Sequence, residues 1–165
     1  MIDRHIEELE TAKFALEGRR QEATRLLESL VMASSDDQGE KRYLEDALLE
    51  EQTLRCSLLG VDLYCAARPI REPDGAWKYI EFVFVHPHGV DETLEIARFY
   101  FEHRYTRLIL QAEGTRTVVT TFSDSSGPTQ VIRALVARLL QSAVFNPSAP
   151  GGGIDTTPMH AGILL

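Results

Sequence analysis

Cysteine is scarce in this 165-residue chain, tryptophan occurs once, and no apolar run approaches the roughly 20 residues that a membrane-crossing helix needs. Cys56 and Cys65 are too few for a disulfide framework and too widely spaced for a CxxC redox or zinc element, so both read as buried, reduced thiols. Acids at Asp3, Glu7 and Glu8 stand where a secretory leader would carry positive charge and then an uninterrupted apolar stretch. A soluble, cytoplasmic protein is the expectation, with no membrane partner.

Basic residues are also outnumbered, with 17 Lys and Arg against 25 Asp and Glu, and no cluster of them is interleaved with aromatics. A surface of net charge −8 repels phosphate backbones, so nucleic acid is not an expected partner. The catalytic signatures that carry their own chemistry are missing too. There is no GxSxG elbow, no HExxH pair and no Walker loop. Neither a catalytic group nor a cofactor is expected from such motifs.

What the chain does have is a helical seam. Ile2, Ile6, Leu9, Lys13, Leu16, Arg20, Ala23, Leu27 and Leu30 recur in alternating steps of four and three, the spacing of a coiled-coil row. Residues 2–33 contain no Pro and only Gly18, so one long helix is expected. After the polar break from Ser34 to Gly39, helical spacing resumes at Tyr43, Leu44, Ala47, Leu48, Glu51 and Leu54, with Asp36 or Asp37 as a cap. The reading is an antiparallel helical hairpin over residues 1–56. Its second arm is shorter than its first, and the excess seam calls for a second protein chain.

From about Ser57 the period changes to two. Leu59, Val61, Leu63 and Cys65 share one side of a strand, and Pro69, Pro73, Asp74 and Gly75 form a turn. Trp77 to His86 is apolar on both faces, which places it centrally, with helices on one side and a second subunit as the candidate cover for the other. Residues 93–103 fit helix by spacing and strand by propensity, and strand is chosen. Arg107–Ala112 and Thr115–Phe122 form a hairpin turned at Glu113-Gly114. Paired apolar residues from Val131 to Leu140 then mark a helix packed on the sheet. The expected fold is α+β: a helical hairpin (1–56), an antiparallel sheet of four to five strands with a C-terminal helix (57–145), and a Pro/Gly-rich linker and tail (146–165).

Four features bear on function. His86, His88, Asp91 and His103 are the densest set of potential metal ligands, although a solvent-exposed turn after a strand explains His86-Pro87-His88-Gly89 as well. Ser123-Asp124-Ser125-Ser126-Gly127 could hold an anion at a helix start, although capping is the simpler account. Lys13 and Arg20 interrupt the seam, either snorkelling to water or meeting acids such as Glu45, Glu50 or Glu51. Finally, Ile163, Leu164 and Leu165 behind the linker have the layout of a docking peptide.

The reading that follows is a non-catalytic protein–protein interaction subunit, an adaptor, chaperone or assembly factor of bacterial type. It would associate with itself or a larger complex, as a homodimer or complex subunit, through Ile2, Ile6, Leu9, Lys13, Leu16 and Arg20 and through the C-terminal Ile163–Leu165. The competing readings are a small metal-dependent enzyme or metal-binding protein with its site around His86 and His88, and a small-ligand module under the C-terminal helix.

Overall fold

The structure, a computed structural model, describes residues 2–34, 39–121 and 127–146. It is α+β. A long helix α1 (Ile2–Ala33) leads through a short 3-10 turn (Gly39–Tyr43) into seven strands, and helix α2 (Gly127–Gln141) follows them. The strands are β1 (Leu44–Glu50), β2 (Thr53–Leu58), β3 (Val61–Ile70), β4 (Tyr79–Pro87), β5 (Thr93–Glu102), β6 (Arg107–Ala112) and β7 (Thr115–Thr121). All pair antiparallel with their sequence neighbours, in the order β1 to β7.

Seven strands replace the four to five expected, and the two extra ones come from the segment read as the second arm of the helical hairpin. That arm does not form. Residues 44–50 and 53–58 are strands joined at Glu51-Gln52, where Glu51 has a φ of 57°. The helical spacing there is produced by a bulge. Glu45 pairs with Ser57 and Leu48 with Arg55, so Asp46 and Ala47 together oppose Cys56, and Asp46 takes a φ of 53°. One extra residue turns a period of two into an apparent three-to-four. The continuous strand expected through Leu59 is likewise two strands, turned at Leu59-Gly60 with φ of 51° and 79°.

Residues 93–102 are strand, as chosen from propensity for 93–103, and their helix-like spacing has the same cause. Phe84 pairs with Ala97 but Val85 pairs with Glu95, so Ile96 is the additional residue. Asp74 and Gly75 lie in the β3–β4 turn, where Asp74 Oδ1 accepts the Ala76 amide at 2.9 Å and Gly75 has a φ of 89°. Pro69 is in β3 instead, beyond the Thr53–Ala66 pair where β2 ends, so its missing N–H leaves no β2 partner unpaired.

Both helices cover one face of the sheet. Leu27 and Leu30 of α1 and Val131 of α2 line one apolar crevice with Phe82, Phe84, Phe99 and Leu108 of the sheet. Phe84 and Phe99 meet edge to face with ring centres 5.7 Å apart. Ala23, Leu54, Cys65, Ile132 and Leu135 join the same buried cluster, so the first helix and the sheet share one core.

Candidate functional site

The seam on α1 divides into two halves with different surroundings. Ala23, Leu27 and Leu30 are buried in the chain's own core. Leu16 is half-buried, while Lys13 and Arg20 are exposed and Ile6 and Leu9 are 47% and 58% exposed. Phe14, about 100° around the helix from Lys13 and off the seam, is 80% exposed. Ile2 is the first residue of the helix. Among the described residues nothing covers the Ile6 and Leu9 side chains.

The other flank of this half-helix faces a cleft. Arg4, Ala12 and Ala15 border it, and its far wall is Arg71, Gly75 and Trp77 of the β3–β4 turn. At the mid-point, Arg19 Nη1 donates to the Trp77 carbonyl at 3.3 Å, and Glu22 Oε2 lies 2.8 Å from His103 Nδ1. Arg19 and Glu22 form an ion pair of 2.5 Å. On the opposite side Gln52 Nε2 donates to the Arg20 carbonyl at 3.3 Å. These contacts fix the helix direction and leave the Ile6, Leu9 and Lys13 row facing outward. The acids expected to meet Lys13 and Arg20, Glu45, Glu50 and Glu51, belong to β1 and its turn because the second helical arm does not exist.

The four potential metal ligands are not brought together. His86 is the next-to-last residue of β4, where its Nδ1 donates to the Asp62 carbonyl at 2.7 Å. His88 and Asp91 occupy the exposed β4–β5 turn, closed by the His88 amide on the Glu92 carbonyl at 2.8 Å. His103 lies past the other end of β5, bonded through its amide to Lys78. The antiparallel run from the His86–Leu94 pair to the Tyr79–Glu102 pair separates them by roughly 24 Å at 3.4 Å per residue. Among the described residues no group of three or more His, Cys, Asp or Glu has metal-binding geometry.

The space under the helices is narrow. The crevice between α1, α2 and the sheet holds about 20 Å³, room for one water-sized sphere. Ligand pockets run from about 300 to 1,000 Å³. Ser123 to Ser126 and the C-terminal Ile163, Leu164 and Leu165 lie outside the described residues.

Sequence reading missed a charged network on the sheet face that the helices do not cover. Glu81 of β4 is 3% exposed. Its Oε1 accepts from Arg68 Nε at 2.8 Å, and its Oε2 accepts from Arg98 Nη1 at 3.1 Å and from the Tyr100 hydroxyl at 2.8 Å. Arg98 also pairs with Glu95. Nearby, Glu102 accepts from Arg107 Nε at 2.6 Å and from the Tyr79 hydroxyl at 3.2 Å. Burial, joined by the hydrogen bond to Glu81, pushes the Tyr100 hydroxyl well above its ordinary range. Desolvation works against charge on Arg98, but its bonds to Glu95 and Tyr100 outweigh it and hold the guanidinium protonated. The available signal was Glu81 itself, an acid inside the apolar run Ile80 to Val85; strand register then sets it opposite Tyr100, with Arg98 one pair along on the same face.

Around the network, the face that neither helix covers carries half-buried Tyr64, Val83 and Val85, with Leu48 and Val118 exposed at the margins. No helix among the described residues is long and apolar enough to cross a membrane. Compared with protein-family models, curated proteins and solved structures, the chain matches none.

Proposed function

We propose that this chain is a protein–protein interaction subunit, working by association rather than by turnover, in the manner of an adaptor, chaperone or assembly factor. The observation that carries the reading is the exposed row Ile6, Leu9 and Lys13 on the free half of a helix whose other half is anchored in the core. Burial of such side chains is favourable by roughly 25 cal/mol per Å² of apolar surface removed from water, and the helix is already formed, so a partner need not order it first.

The open sheet face offers a second, flatter contact area. Its ion pairs are satisfied within the chain, so a partner meeting that face encounters apolar margins around a neutralised centre. A cytoplasmic setting fits the reduced thiols of Cys56 and Cys65.

The reading is tested by immobilising the full chain beside a Leu9→Glu variant and identifying what each retains from a lysate by mass spectrometry, with sedimentation for self-association. Loss of a specific partner, or of self-association, in the variant supports it. Identical retention and identical sedimentation for both proteins would remove it.

A further inference from the structure

We infer that the partner of the free half of α1 is a second copy of this chain, paired antiparallel over residues 3 to 20. This rests on the interaction reading above and names its occupant.

The seam is self-complementary in one direction. In an antiparallel pair whose two-fold axis passes level with residue 11, Ile6 of one copy lies level with the partner's Leu16, and Leu9 lies level with the partner's Lys13. Both are alternating layers of the kind that antiparallel coiled coils stack, with each first-type seam position meeting a second-type one. Of the side chains needed for this, Ile6, Leu9 and Lys13 are exposed and Leu16 is half-buried.

Charge is arranged to match. Residues 1–10 hold four acids against one base, a net of −3, while residues 11–20 hold three bases against one acid, a net of +2. Antiparallel pairing sets the acidic decade of each copy against the basic decade of the other, once on each side of the axis. Parallel pairing would set like against like. Within the pair, Lys13 comes beside the partner's Glu10 and Arg20 beside the partner's Asp3. The two Glu10 carboxylates approach one another near the axis, and the two Lys13 ammonium groups neutralise them.

The length also fits. Beyond Arg20 the seam turns into the chain's own core at Ala23, Leu27 and Leu30, so the stretch available for pairing ends where the charge pattern ends. The contact is isologous and closed, which yields a dimer rather than a filament.

The test is sedimentation equilibrium of the full chain over rising concentration, with far-UV circular dichroism to show that each variant is folded. The wild type is expected to rise from 18.5 kDa toward twice that mass. Lys13→Glu and Glu10→Lys each place four like charges about the axis, and each alone should weaken the dimer by about tenfold or more. Mixed in equal amounts, the two variants should recover wild-type association, because the carboxylate introduced at position 13 of one copy meets the ammonium introduced at position 10 of the other.

A nitroxide on Glu17→Cys should report a separation of about 20 Å, since twelve residues of helical rise lie between the two sites, against roughly 10 Å for parallel helices. A wild type that stays at monomer mass throughout overturns the inference, as does a dimer that neither variant weakens or that the mixture fails to restore. If the wild type is monomeric yet Leu9→Glu loses a specific protein partner, the interaction reading stands and only the second copy is wrong. If Leu9→Glu also loses nothing, both fall.

Discussion

Glu81 Oε2 lies 3.1 Å from Arg98 Nη1, on adjacent central strands and on the sheet face that neither helix covers. The carboxylate is shielded by its own partners, with Arg68 on one oxygen and Arg98 and Tyr100 on the other. Removing one member of a buried pair is strongly destabilising because the other charge loses its compensation. Glu81→Ala should therefore destabilise the fold by about 3–5 kcal/mol in urea unfolding. Arg68 is mostly exposed, and Arg68→Ala should cost no more than about 1 kcal/mol. Equal effects from the two substitutions would show that the network does not centre on Glu81.

The two halves of α1 should respond differently to the same truncation. Leu27 is 1% exposed and packs against the sheet, so Leu27→Ala should cost about 2–5 kcal/mol. Leu9→Ala, measured in dilute solution, should stay within about 0.5 kcal/mol of wild type, as surface substitutions do. A comparable loss at both positions would mean that Leu9 is packed within the chain, and the outward-facing seam would have to be abandoned.

Much of this architecture was legible wherever one physical signal acted alone. The helix of α1 and the paired apolar rows of α2 each carry a single period and form as read, and the β-branched hairpin of β6 and β7 forms even though Val119 is an extra residue between the Ile109–Val118 and Leu108–Thr120 pairs. The misreading of residues 44–54 came from two signals superimposed. A bulge at Asp46 and Ala47 stretches the strand period to resemble a helix, and the Glu51-Gln52 turn contains neither Gly nor Asn. The same superposition occurs at Ile96, where aromatic and β-branched neighbours tipped the reading correctly. For the candidate site, the seam showed that a helix needs something to pack against but not which half the chain itself would cover. Glu81 was visible as an acid in an apolar strand. Its partners Arg68, Arg98 and Tyr100 became evident only through strand register.

Leu59 occupies the first position of the β2–β3 turn with a φ of 51°, a conformation that branched and bulky side chains adopt at a cost. Leu59 is 37% exposed and is not part of the buried core cluster. Leu59→Asn, which favours this conformation and suits a two-residue hairpin before Gly60, should raise stability by about 0.5–1 kcal/mol. The check is the shift in urea midpoint. A destabilised variant would show that the Leu59 side chain contributes more by packing than its backbone gives up.

Alkaline pH should weaken the fold through Cys56. Burial, reinforced by the negative charge of Asp62, pushes this thiol from its ordinary value of 9.0 up to about 12. Cys65, wholly buried on the paired strand, is raised as well, first by burial and then by Cys56. Between pH 9 and pH 12 the folded protein holds a proton at Cys56 that the unfolded chain releases. The stability from this thiol is therefore intact below pH 9 and is lost as pH rises, at up to roughly 1.4 kcal/mol per unit.

Cys56→Ala should flatten the fall in urea midpoint between about pH 9 and pH 11, whatever its effect at neutral pH. A thiol reagent at about pH 8 should leave both native cysteines unmodified and label them only on unfolding, since the thiolate is the reacting form. Rapid labelling of the native protein, or an unchanged pH slope in the variant, would place Cys56 in contact with solvent and contradict its position between the helices and the sheet.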